Sequence, residues 1–302
     1  MKNYFFVNNG WLNLNKKAGI SSAQIVGKLK KHFSLKKIGH LGTLDPEAEG
    51  VLPLAIGEAT KTIQFISNKI KIYRFVVRWG EETNTLDHEG YVTRISDYIP
   101  GKKEIIKTLD EFFIGNIMQK PPIFSAVKVN GERAYNLARK KIEFKISEKN
   151  IMIHYFKWIR NPDEKHSEFE VKCGPGTYIR ALANDLAIKM GTFAHTSKIV
   201  RTKDSFFNIK KAINFESLIH MDNAHMNKIL YPVEYVLKNC QVLNLEKKYL
   251  ESIRNGKTTY IDFLKEKLVN KSENILIKSE GKLVSVANLE KGYIIPKRNF
   301  NN

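Results

Sequence analysis

The run Gly39-His40-Leu41-Gly42-Thr43-Leu44-Asp45-Pro46-Glu47-Ala48-Glu49-Gly50-Val51-Leu52-Pro53 limits this chain more than any other stretch, because it sets one carboxylate in a stiff, glycine-bracketed loop. Glycines at 39, 42 and 50 permit backbone angles closed to other residues, and Pro46 fixes the turn directly after Asp45, so the aspartate is presented rather than left to wander. Two readings fit. Most isolated Asp-Pro pairs are plain turns; alternatively the loop is an active site and Asp45 its working group.

Regular structure is expected on both sides of the loop. Trp11 to Leu14 alternate apolar and polar as a strand, and Ser21-Ser22-Ala23-Gln24 is a capping-box pattern opening a helix with Ile25, Val26, Leu29 and Phe33 on its buried stripe. After the loop, Ala59-Thr60-Lys61-Thr62-Ile63 leads toward a second strand, Lys71 to Val77, on which Tyr73, Phe75 and Val77 share a face. That strand runs into the polar stretch Gly80 to Gly90 and a further strand-like run from Tyr91, which predicts a hairpin loop with Asp87 as a turn residue.

Residues 117–150 interleave cations with aromatics, above all in Gln119-Lys120-Pro121-Pro122-Ile123-Phe124-Ser125-Ala126-Val127-Lys128-Val129-Asn130-Gly131-Glu132-Arg133-Ala134-Tyr135. Stacking a base on an aromatic side chain contributes about 1–3 kcal/mol and cations track phosphates, so such a surface suits unpaired nucleotides. A Pro-containing loop followed by an ordinary amphipathic helix fits the same residues equally well.

Further on, Phe169, Val171 and Cys173 alternate as a buried strand, and Gly174-Pro175-Gly176-Thr177-Tyr178-Ile179-Arg180 turns it into a helix through Leu182, Leu186 and Ile188. A cation at a helix start opposes the helix dipole unless an anion pairs with it, and Asp45 is the natural partner for Arg180; a surface arginine is the plain alternative. The segment Gly191 to Thr202 follows, holding Ile199, Val200 and Arg201.

Three of these motifs resemble the TruB family of tRNA pseudouridine synthases: His-x-Gly-x-Leu-Asp-Pro-x-Ala-x-Gly-x-Leu-Pro at residues 40–53, Pro-Pro-x-Phe-Ser-Ala-x-Lys-x-x-Gly-x-Arg-Ala-Tyr at 121–135, and Gly-Thr-Tyr-Ile-Arg at 176–180. The stretch 83–90 resembles the family's Thr-x-Thr-x-Asp-x-x-Gly element, and Ala194 to Thr202 its Ala-His-Leu-x-x-Leu-Arg-Arg-Thr segment. The resemblance implies that Asp45 attacks uridine, at ribose C1′ or base C6, that Tyr73 stacks on the base and serves in proton transfer, and that Arg180 orients Asp45. It places His40 in the space vacated in the RNA, Tyr178 beside the pocket and Ile199 beneath the base. Asp87, Lys16, Lys128, Arg133 and Arg201 would contact RNA or support the site, with residues 117–150 forming an RNA-gripping thumb. The chain departs from the family at Val200, which leaves only Arg201 of an arginine pair, and at Asn15-Lys16-Lys17, where the family carries Asp-Lys-Pro.

Composition agrees with an RNA partner. The chain has 302 residues, 42% hydrophobic, and a formal net charge of +19. Such a charge favours a polyanion, although abundant Lys, Ile and Asn point partly to compositional bias. Cys173 and Cys240 are far apart and lack metal-ligand spacing, which suggests neither a disulfide nor a zinc site and fits a reducing cytoplasm. The apolar run Met1 to Val7 is too short for a signal peptide or membrane span. Beyond residue 236 the pattern becomes β-rich, with strands near Ile275 to Ile277 and Leu283 to Val286 and a loose loop at residues 269–273, and it resembles the family's C-terminal PUA-like domain.

The expectation is therefore an α+β pseudouridine synthase fold on a mixed, largely antiparallel sheet, residues 1–235, followed by a PUA-like module, residues 236–302. The implied substrate is the T-loop uridine of tRNA at position 55, acted on by a cytoplasmic monomer without metal, cofactor or membrane. A two-carboxylate glycosidase requires a second acid across the sugar, which Glu47 and Glu49 on the same loop cannot supply. A non-catalytic RNA-binding or RNA-folding protein fits charge and aromatics as well, and a tRNA-folding role can accompany catalysis. The guide-RNA-dependent archaeal and eukaryotic relatives share the Asp loop but not this thumb and C-terminus.

Overall fold

Alternating apolar side chains make the strands on which the rest of the chain packs. In the computed structural model, which describes residues 7–67, 69–261 and 271–301, the chain runs β1 (Gly10–Lys16), α1 (Ser22–His32), β2 (Ile38–His40), β3 (Glu49–Ile56), β4 (Lys71–Trp79), β5 (Glu81–Thr83), β6 (Val92–Ile95), α2 (Lys102–Phe112), β7 (Gly115–Gln119), β8 (Lys128–Val129), β9 (Glu132–Arg133), α3 (Ala134–Arg139), β10 (Lys149–Asp163), β11 (His166–Cys173), α4 (Ile179–Lys189) and β12 (Ala194–Asp204). Then come β13 (Phe207–Asn208), β14 (Ile213–Asn214), α5 (Phe215–Ile219), α6 (Asn223–Ile229), β15 (Val242–Asn244), α7 (Leu250–Arg254), β16 (Thr259–Tyr260), β17 (Lys271–Ser279), β18 (Lys282–Glu290) and β19 (Tyr293–Asn299).

The large sheet orders its strands β14-β1-β3-β12-β4-β11-β10-β7, with β2 beside β3 and β13 beside β12. The pairs β1·β14 and β3·β12 are parallel and the remainder antiparallel, so the sheet is mixed and largely antiparallel, as expected. Tyr73, Phe75, Val77 and Trp79 of β4 are all buried, and Phe75 stacks on Phe169 of β11 at 5.5 Å between ring centroids. Helix α1 starts as its sequence requires. The Ser21 hydroxyl accepts from the Gln24 amide and the Gln24 side chain accepts from the Ser21 amide, while Ile25 and Leu29 are buried. Helix α4 packs over β12 and β4 through Leu182 and Leu186.

A second sheet, ordered β15-β17-β18-β19-β16, follows at the C-terminal end. Its strands include the expected Ile275 to Ile277 and Leu283 to Val286 runs. The approach to β4 is a 3-10 helix, Gly57–Phe65. Two local expectations need correction. Of the loop glycines, Gly42 and Gly50 hold φ of +67° and +101°, but Gly39 is an ordinary strand residue paired with Ala55. Residues 271–273 begin β17 by pairing with β18, so they are not a loop; residues 269 and 270, like the apolar run at 1–6, lie outside the described residues. Among the described residues, no helix is long and apolar enough to cross a membrane.

Candidate active site

The Asp45 loop leaves β2 and returns as β3, and its shape is held almost entirely by contacts to its backbone. Ser22 Oγ donates to the Leu44 carbonyl at 2.9 Å and accepts from the Leu44 amide at 3.0 Å, pinning the residue before Asp45 to the start of α1. The Ala48 amide donates to the Asp45 carbonyl at 3.2 Å, closing the turn around Pro46. Lys16 Nζ donates to the carbonyls of Pro46 and Lys17 at 2.6 and 2.8 Å. At the far end only glycine fits at position 50, since a Cβ there would lie 2.3 Å from the Arg201 carbonyl oxygen. Locked in this way, the loop leaves the Asp45 side chain 39% exposed.

Arg180 stands where the sequence places it, in the first turn of α4, and is 5% exposed. Its Nε donates to Asp45 Oδ2 at 2.9 Å, its Nη1 to the Thr85 carbonyl at 2.7 Å and its Nη2 to the Phe124 carbonyl at 2.9 Å; Asp87 Oδ2 lies 3.4 Å from Nη1. Two carboxylates thus offset a cation that is buried at the positive end of a helix, the situation in which an unpaired arginine would be very costly. One guanidinium joins the Asp45 loop, the 84–91 turn and the segment 117–150 at Phe124. Within that turn Asp87 Oδ1 accepts from the Thr85 hydroxyl, and the Thr196 amide on β12 donates to the Leu86 carbonyl at 3.1 Å.

A small cavity opens against these groups. Asp45, Asp87 and Arg180 form its polar wall, Ala48 and Ile199 supply apolar surface, and Glu47 and His88 flank it with 3.6 Å between His88 Nε2 and Glu47 Oε2. Tyr73 is not part of the wall: it is buried on β4 beside Arg201, and burial pushes its phenol well above the ordinary tyrosine value. Burial similarly raises the Tyr178 phenol and lowers His40, whose Nδ1 is enclosed without a hydrogen-bond partner among the described residues.

Lys128 and Arg133 face each other across the β8–β9 hairpin, both exposed, with the Arg133 guanidinium donating to the Ala126 carbonyl. Lys16 and Arg201 differ from expectation. Both are 0% exposed and hold loop carbonyls, so they work inside the protein and do not present their charge to RNA. The physical reason is that the loop turns its carbonyl oxygens inward, and long cationic side chains are the available donors.

No motif pointed to several residues that shape this site. Gln119 is buried and brackets the start of α4, accepting from the Tyr178 amide at 2.9 Å and donating to the Tyr178 carbonyl at 3.1 Å. Ser22 was hidden beside the cap residue Ser21, and Asp204 lies beyond the last recognised segment. Only the oddity of an acid three residues after Arg201 on the same strand could have singled it out.

Comparison with known proteins shows what the chain is similar to. A family model described as TruB family pseudouridylate synthase (N terminal domain) matches residues 30–179. A protein of Caulobacter sp. (strain K31) named tRNA pseudouridine synthase B is 37% identical over 298 residues, covering 97% of this chain and 96% of that one. A Rickettsia bellii (strain OSU 85-389) protein of the same name is 37% identical over 297 residues, covering 98% and 99%. Among solved structures, a chain of an H/ACA RNP bound to a substrate RNA containing 2′-deoxyuridine aligns with a TM-score of 0.70 at 19% identity, over 97% of this chain and 85% of that one. A chain of a Cbf5-Nop10-Gar1 complex aligns with a TM-score of 0.69 at 21% identity, over 96% and 84%. These two likenesses show the shared fold.

Proposed function

Because the chain belongs to the TruB family of pseudouridine synthases, we propose that it isomerises uridine to pseudouridine in tRNA, at the T-loop uridine of position 55, without a guide RNA. The single observation that carries the reading is the Asp45–Arg180 pair: a presented carboxylate held at 2.9 Å by a buried guanidinium, on the wall of a cavity whose apolar surface includes Ile199.

The reaction needs one nucleophile and no external reactant. The N1–C1′ bond breaks, the base turns, C5 bonds to C1′, and the proton on C5 is exchanged for one at N1. Asp45 attacks at ribose C1′ or base C6, and Arg180 fixes the direction of that attack. Flipping the uridine out of its stack costs a few kcal/mol, which Ile199 offsets by packing beneath the base, with Tyr178 beside the pocket and His40 filling the space left behind. Tyr73 serves in proton transfer, giving a proton to N1 and taking up the one that leaves C5. Lys128 and Arg133 on the thumb and the C-terminal module, residues 236–302, grip the T-arm of a tRNA bound by a monomer in the cytoplasm. A tRNA-folding role is compatible with the same surfaces.

The test uses an unmodified tRNA transcript with tritium at uridine C5. Wild-type protein releases tritium from the T-loop uridine and Asp45→Asn releases none. Binding of tRNA with no release by wild type would leave only the RNA-binding role.

A further inference from the structure

Beneath the Asp45 loop lies a cluster of charge that the reaction as described does not use. On a regular strand, residues three apart point to opposite faces. A β-bulge changes this on β12, whose register against β4 runs Arg201 to Tyr73, Lys203 to Ile72 and Asp204 to Lys71. The extra residue brings Arg201 and Asp204 to the same face as Tyr73 and Lys71, since directly paired residues of neighbouring strands share a face.

Arg201 and Asp204 are both 0% exposed. Asp204 Oδ2 lies 3.3 Å from Arg201 Nη1, Lys71 Nζ is 3.8 Å from Asp204 Oδ1, and Ser205 Oγ donates to Oδ1 at 3.0 Å. Held from that side, Arg201 turns its remaining donors to the loop. Nε donates to the Val51 carbonyl at 2.8 Å and Nη2 to the Gly42 carbonyl at 3.0 Å, with the Thr43 carbonyl 3.5 Å from Nη1. One guanidinium therefore staples the two ends of the loop that presents Asp45. Gly42 rests directly on the pair: a Cβ there would come within 3.2 Å of Asp204 Oδ2. Tyr73 is the register partner of Arg201 across β4 and β12, so the residue that staples the Asp45 loop also sits beside Tyr73.

We propose that Asp204, assisted by Lys71, is a positioning residue for the isomerisation: it fixes the direction of Arg201 so that both ends of the Asp45 loop are held in place by a single guanidinium. A buried ion cluster of this kind adds little net stability over an apolar replacement of equal shape, yet removing one member leaves the others unpaired. Its contribution is orientation. The inference rests on the isomerase reading.

The experiment compares wild type with Asp204→Asn, Asp204→Glu and Lys71→Met, measuring single-turnover tritium release at saturating tRNA, tRNA affinity by filter binding, and folding by circular dichroism. Misplacing the loop by a fraction of an ångström should slow release by Asp204→Asn about tenfold to a hundredfold. Its tRNA affinity should stay within about twofold of wild type, because the residue never meets the RNA. Asp204→Glu should recover part of the rate. A folded Asp204→Asn protein that releases tritium at the wild-type rate, or one that loses rate and affinity together, overturns the proposal. If Asp204→Asn does not fold, Lys71→Met decides. A rate several-fold lower at unchanged affinity supports positioning, and a wild-type rate overturns it. Failure of wild type to release tritium would instead strike the isomerase reading itself.

Discussion

At the scale of single residues, the site separates into a half-exposed carboxylate and the buried cations that hold it, and Lys16 shows what holding costs. Its ammonium is removed from water to reach the Pro46 carbonyl, and burial lowers its pKa from the ordinary 10.5 to about 8, the nearby carboxylates Glu47, Asp45 and Glu49 recovering only part of the loss. The unfolded chain therefore binds more protons than the folded one between those two values. Below about pH 8 the full penalty of burying the charge is present, and it falls away as pH rises toward 10.5. Urea unfolding at pH 7 and pH 10 of wild type and Lys16→Met should show wild type gaining on the variant at the higher pH. The gain is expected on the order of 2–3 kcal/mol. A gap that stays constant or closes at high pH would mean that Lys16 is not buried as a cation. The same variant strips the Pro46 carbonyl of its donor, so at every pH it should also slow tritium release.

At the scale of elements, the Asp45 loop behaves as an appendage of α1 and β12 more than of the strands it joins. The Ser22 hydroxyl bonds both backbone groups of Leu44, so Ser22→Ala leaves a buried amide and carbonyl unpartnered. That should destabilise the protein by about 1–3 kcal/mol. Tritium release should slow while tRNA affinity holds; a variant with wild-type rate would show that β12 alone shapes the loop. How legible such features were in the sequence follows from their range. The capping box at Ser21 and Gln24 and the strand of Tyr73, Phe75 and Val77 depend on neighbours and could be read directly. The Asp45–Arg180 pairing was suggested by a cation at a helix start, but only the family resemblance set it above a plain surface arginine. The Ser22–Leu44 clasp, the Gln119 bracket on Tyr178 and the inward turn of Lys16 and Arg201 depend on how distant segments meet. The bulge that brings Asp204 beside Arg201 is a matter of strand register, which alternation of residue types does not encode when both faces are covered.

At the scale of the whole molecule, the two sheets are joined by an apolar core and by polar ties. Trp11, Val51, Ala55 and Phe207 from the large sheet and Val233, Val236 and Leu237 beyond it pack in one buried cluster with Leu276, Leu283, Val286 and Phe300 of the C-terminal part. Around it, Lys278 pairs with Glu234 at 3.1 Å, Lys61 Nζ donates to the Asn299 carbonyl at 3.0 Å, and the Asn301 amide donates to Glu58 Oε2 at 2.8 Å. Modules that meet through small polar faces unfold separately, whereas a common apolar core couples them, because opening either part exposes the other's buried side chains. Scanning calorimetry of the full chain should therefore give one transition whose calorimetric and van't Hoff enthalpies agree. Replacing Phe300 with Ala should lower that single transition as a whole, by about 3–5 kcal/mol as for other large buried aromatics. Two resolved transitions, with Phe300→Ala moving only one of them, would show that the C-terminal part folds by itself and that its attachment to the tRNA-modifying sheet is a tether. One transition would mean that the C-terminal sheet and the Asp45 site are held in fixed relation before any tRNA arrives, so that, on the proposed reading, a tRNA gripped by both meets a preformed spacing to the nucleophile.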